Sequence, residues 1–112
     1  MRQFKTGATR NEDKNQLDYE GFYTPLVMEA FAKYMHKNRK QADGKTRDSD
    51  NWQKGIPKDA YMKSGFRHFI DWWSEHRGGD SRDGIKDALC GLLFNVQGYL
   101  YEYLKEEKER KN

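Results

Sequence analysis

The stretch DGIKDALCGLLFNVQGYLYEYL (83–104) decides the fold. Ile85, Leu89, Leu92, Val96, Tyr99 or Leu100, and Tyr103 recur at helical spacing, so they share one face of an α-helix. This helix is predicted to begin near Asp83 and to continue past Leu104. Lys105 to Asn112 carry alternating charges and read as a solvated helix end. A narrower stripe, Asp87, Gly91, Asn95, Gly98 and Glu102, runs between the apolar positions. An interior glycine costs a helix about 1 kcal/mol against alanine. Two of them imply that something approaches the backbone. That is either a neighbouring helix or a ligand or metal pocket with Asp87 and Asn95 as its polar groups.

Upstream, the pattern repeats. Met62, Phe66, Phe69 and Trp73 step by four, three and four, and Ile70 widens the face. This predicts a helix from about Pro57 to Arg77, stopped by Gly78-Gly79, with that face as its core side. Earlier still, Thr24-Pro25 reads as a helix start, followed by Val27, Phe31, Tyr34 and Met35. The pattern fades at His36-Lys37-Asn38. Strand signals are nearly absent. The expectation is an all-α fold: a small helical bundle of three main helices in a single domain spanning 1–112. A polar N-terminal segment (1–18) and a long middle loop (38–57) flank the first helix. Three such helices leave much apolar surface uncovered, so a homo-oligomer, dimer or tetramer, is expected to complete the bundle.

Composition agrees. In 112 residues, apolar and charged residues each make up 35%, which alone would suggest disorder, but three Trp, seven Tyr and six Phe argue for a small core of large rings. Twenty-one Lys and Arg against eighteen Asp and Glu leave a net charge of +3 with the signs interspersed, too small a sum to argue for nucleic acid by itself, so nucleic acid is not the expected partner. A single cysteine, Cys90, rules out an internal disulfide and a cysteine-based zinc site. Cys90 reads as buried and inert. No apolar run has membrane-spanning length, and MRQFKTGATR lacks a signal-peptide core, so a soluble cytoplasmic protein is expected.

Candidate chemistry sits on the last two helices. His68, Asp71 and Glu75 share the side of their helix opposite Met62/Phe66/Phe69/Trp73. This is either a solvent face or the wall of a polar cleft. Carboxylates four residues apart can hold one divalent cation, and oxygen ligands suit Mg²⁺ or Mn²⁺. Asp87 on the next helix and Asp80 in the linker can add oxygens, while Asp83 or Ser81 can cap the last helix. Arg10, Lys54 and Arg67 are candidate phosphate contacts, with solvation as the plainer role. Trp52, in the long loop, must anchor to the core or stack on something planar such as a base. No Ser/His/Asp set is evident.

The segments GATR (7–10), LDYEGF (17–22), DNWQKGIP (50–57), RHFIDWW (67–73) and DALCGLLFNVQGYLYE (87–102) together resemble a family of small phage proteins. That family is described as dATP/dGTP diphosphohydrolase-like and is related to the MazG-like all-α nucleoside triphosphate pyrophosphatases. The likeness spans about Arg2 to Leu104. It implies Mg²⁺- or Mn²⁺-dependent hydrolysis of a purine deoxynucleoside triphosphate to monophosphate and pyrophosphate, in the cytoplasm of the host cell. Asp71, Glu75, Asp80 and Asp87 would be metal ligands, and His68 or a carboxylate would take the proton from water. Arg10, Lys54 and Arg67 would hold phosphates, Trp52 would stack on the base, and Asn95 would hydrogen-bond a base edge or a metal-bound water. In this chain Gly91 stands where such proteins commonly carry a further acid. The alternative is a nucleotide binder without catalysis, such as a phage sponge for a host-defence signalling nucleotide. An interaction protein ranks third.

Overall fold

The computed structural model describes residues 2–10 and 15–111. Residues 1 and 11–14 of the polar N-terminal segment, and 112 at the helix end, lie outside the described residues. Among the described residues, four α-helices carry the fold: α1 (Tyr19–Phe22), α2 (Pro25–Lys37), α3 (Lys58–His76) and α4 (Ile85–Lys111). Two short strands, β1 (Arg2–Gln3) and β2 (Thr9–Arg10), pair antiparallel. The protein is therefore all-α, and no helix among the described residues is long and apolar enough to cross a membrane.

Proline at the first position of α2 needs no hydrogen bond there, and Thr24 before it is extended without a side-chain cap. The short α1 is capped by Asp18, whose carboxylate accepts from the Gly21 N–H at 2.9 Å. Gly78 adopts φ +88°, the left-handed conformation that ends α3. Ser81 does not cap α4. Its N–H and hydroxyl both donate to Glu75 Oε1 at 3.1 Å, which ties the linker to the end of α3. The charged tail continues α4 to Lys111.

The α3–α4 hairpin is the centre of the molecule, and α3 packs through a face about 100° around the helix from the one periodicity suggests. Met62, Phe66, Phe69 and Trp73 are 59, 58, 43 and 48% exposed. Tyr61, Gly65 and His68 face α4 instead. A Cβ on Gly98 would strike the Tyr61 ring, a Cβ on Gly65 would come within 3.2 Å of Asn95 Cβ, and a Cβ on Gly91 would strike the His68 ring. Each step up α3 is thus matched by a step back along α4. The glycines serve close helix–helix packing, and an apolar stripe is left facing outward, uncovered by any described residue.

Among the described residues, Tyr61, Ala88 and Cys90 are the buried apolar ones and Asn95 is the buried polar one. Helix α2 lies on α4, with Lys37 Nζ 2.6 Å from Asp87 Oδ2 and Cys90 Sγ 3.9 Å from the Ala30 carbonyl. The middle segment is more ordered than a bare loop. Lys40 and Thr46 bridge around a turn at Gly44, and a 3₁₀ turn covers Asn51–Lys54. Trp52 on that turn sets its ring against Tyr101 at 5.1 Å and Phe94 at 6.2 Å, so it anchors the segment to α4. The radius of gyration, 19.1 Å, far exceeds the value of about 13 Å for a compact chain of this length.

Candidate functional site

A cavity of about 550 Å³ opens where the end of α2, the 38–57 segment, α3 and α4 meet. That size lies in the range of small-molecule sites. Its walls differ chemically. Its basic lining is His36, Arg39, Lys40 and Arg47, with Asp48 the one carboxylate among the lining residues. Its apolar lining includes Trp52, Ile56 and Phe94, and Ser64, His68 and Asn95 line it from α3 and α4.

The basic wall is built by the Lys40–Thr46 hairpin. Arg47 Nη2 donates to the Asn38 carbonyl at 2.5 Å and Arg47 Nε to the Arg39 carbonyl at 3.3 Å, so this guanidinium braces the chain leaving α2. Arg39 is different. It has no ion pair among the described residues, and its Nε is buried without a hydrogen-bond partner. A buried cationic donor left open is costly unless an anion meets it.

Burial lowers the pKa of His68, and the nearby Asp71 carboxylate only partly opposes this. The ring is therefore neutral at neutral pH and can accept a proton. Because the folded ring resists protonation, the stability it supports is complete above the ordinary value of 6.5. That stability is lost as pH falls from there toward the folded pKa. The NMR midpoint of His68 is expected below 6.5. On acidification from about pH 7 to about pH 5, the unfolding midpoint of wild type should fall further than that of His68→Gln. Equal falls would remove the assignment.

The acidic residues do not converge. Asp71 Oδ2 pairs with Arg82 Nη2 at 2.9 Å, Glu75 holds Ser81, and Asp87 pairs with Lys37. The Asp80 carbonyl accepts from Ser74 Oγ at 3.4 Å. Asp87 lines a second cavity, of about 420 Å³ between α2 and α4, with Lys33, Lys37, Lys86 and Cys90. No three His, Cys, Asp or Glu among the described residues come together as a metal-binding group. As arranged, the Asp71, Glu75 and Asp87 carboxylates are each engaged within the chain and do not form a nest for Mg²⁺ or Mn²⁺. Burial raises the Cys90 thiol pKa, with Asp87 adding to it, and the thiol stays protonated.

Of the other residues singled out in the sequence, His68, Trp52 and Asn95 line the first cavity, whereas Arg10, Lys54 and Arg67 are exposed and are not part of its wall. Arg39, Lys40 and Arg47 escaped sequence reasoning because they follow no periodicity. Their one signal was the Asp43-Gly44 pair, a turn dipeptide that folds the flanking basic residues into a hairpin. Compared with known proteins, the chain matches no family model, no curated protein and no solved structure.

Proposed function

We propose that the protein binds a nucleotide in the larger cavity, with its phosphates toward Arg39, Lys40 and Arg47 and its base toward Trp52, Phe94 and Asn95. The observation that carries this is the guanidinium of Arg39, partly buried and without a partner among the described residues, in the lining of a cavity that Trp52 and Phe94 also line. An anion satisfies the first and a planar ring the second. In this reading the protein holds its ligand unchanged and can act by sequestration. Calorimetry with nucleoside triphosphates is the test. Arg39→Gln should weaken binding at least about tenfold, since a hydrogen bond to a charged group is worth roughly 1.5–3 kcal/mol. Unchanged affinity in that variant would sink the reading.

A second reading, hydrolysis of a purine deoxynucleoside triphosphate to monophosphate and pyrophosphate, has one observation in its favour. His68, a neutral base, lines the same cavity. This reading requires Asp71 and Glu75 to exchange Arg82 and Ser81 for a divalent cation. Product analysis with Mg²⁺ separates the two. Pyrophosphate release that disappears in Glu75→Gln supports hydrolysis, and recovery of intact ligand supports binding alone.

We propose also that the outward apolar face of α3 and α4 is covered by a second copy of the chain.

A further inference from the structure

We infer that Asp48 reads the sugar of the bound nucleotide and selects a ribose with free 2′- and 3′-hydroxyls; this rests on the binding reading of the cavity and not on the hydrolytic one. Asp48 is the one carboxylate in a lining that also holds Arg39, Lys40 and Arg47. None of these cations takes it, for the Asp48 side chain has no ion pair or hydrogen bond among the described residues. Arg47, its chain neighbour, directs its guanidinium to the Asn38 and Arg39 carbonyls at 2.5 and 3.3 Å. The Asp48 carbonyl accepts from the Asn51 N–H at 3.0 Å, which folds 48–51 into a turn that leads to Trp52. Trp52 is held in its place by Phe94 and Tyr101. Both ends of this run are therefore fixed. Asp48, Ser49 and Asn51 lie between them in the chain and line the same cavity.

A nucleotide carries its parts in the same order. Phosphates at Arg47 and a base at Trp52 leave the sugar at residues 48–51. A carboxylate suits that place. It repels phosphate, and when ionised it can only accept hydrogen bonds. The neighbouring hydroxyls of ribose offer two donors, one for each carboxylate oxygen. Hydrogen bonds to an ionised acceptor are roughly twice as strong as those between neutral groups. A 2′-deoxy sugar offers one donor and a 2′,3′-dideoxy sugar none. Their apolar carbons would displace water from the carboxylate without replacing its hydrogen bonds. Sites that hydrogen-bond a ligand hydroxyl reject the analogue lacking it far more strongly than apolar pockets reject a missing methylene.

The test is calorimetry on the wild-type chain with ATP, GTP, CTP and UTP. Whichever binds tightest is then compared with its own 2′-deoxy and 2′,3′-dideoxy forms, so the base is held constant. Inorganic tripolyphosphate serves as the probe without sugar or base. Affinity should fall along the series, with the dideoxy form at least about tenfold weaker than the ribonucleotide. Asp48→Ala, at an exposed turn position, should bring that ratio near one and leave tripolyphosphate affinity level or higher. A ratio that survives in Asp48→Ala, or equal affinities of the ribo and dideoxy forms in wild type, would overturn the Asp48 assignment. Tripolyphosphate binding in either case would leave the cavity reading standing. A lone carboxylate can instead share a cation with phosphates, so the runs are made with and without Mg²⁺. Tripolyphosphate binding that needs both Mg²⁺ and Asp48 would also overturn the assignment. Failure of every triphosphate and of tripolyphosphate to bind would remove both readings.

Discussion

Gly98→Ala is expected to destabilise the protein by about 1–3 kcal/mol, the usual cost of overpacking a filled core. Helix propensity alone predicts the reverse, since alanine is favoured over glycine by about 1 kcal/mol inside a helix. Packing wins because the new methyl has nowhere to go. It would meet the ring and hydroxyl of Tyr61, which is 2% exposed and held edge-on against Phe94 at 5.7 Å. A buried ring clamped on two sides cannot yield as the tip of a lysine would. Gln97→Ala, one residue away on the exposed side of α4, is the control and should leave the urea midpoint level or slightly raised. A cycle with Tyr61→Ala should show the two changes to be less than additive, because removing the ring empties the space the methyl needs. A Gly98→Ala protein as stable as wild type would mean that α3 and α4 do not approach as closely as described.

This pairing also marks where the sequence stops being informative. Local chemistry settles helix limits, so Pro25, the Gly78-Gly79 break and the charged run to Lys111 could be read from residues alone. What an apolar stripe packs against is not local. Periodicity finds Met62, Phe66, Phe69 and Trp73 on one face but cannot say whether that face meets this chain, another chain or water. The contrary signal was present in Tyr61, Gly65 and His68, which share a face of α3 and complement the small positions Gly91 and Gly98 on α4. Carboxylates at helical spacing were similarly ambiguous. Spacing put Asp71 and Glu75 on one side of α3, but Arg82 and Ser81 in the linker decide what they hold.

Light scattering should find the protein at twice the 13.3 kDa of one chain, and Phe66→Glu should return it to one. Phe66, Trp73, Val96 and Leu100 are 58, 48, 57 and 52% exposed, and Met62, Ile85 and Leu89 extend the same surface. By helical angle the stripes of α3 and α4 fall on the same side of the hairpin, away from α2. Monomers seldom show a contiguous apolar patch beyond a few hundred Å². Two helices of 19 and 27 residues offer enough length for the roughly 800 Å² per partner that a stable dimer buries. The side chains of this face are exposed, so an apolar partner is what the face lacks. A second copy supplies a surface of the same character, and a twofold axis sets each stripe against its equivalent. In that arrangement one substitution acts twice. Phe66→Glu would place two unpaired carboxylates in a dry interface, each costing several kcal/mol, enough to dissociate a micromolar dimer. The helical content should survive, because Tyr61, Gly65 and His68 hold α3 to α4 through a separate face. A wild-type chain that runs as a monomer at the same concentration would refute the dimer, as would a Phe66→Glu chain that stays paired.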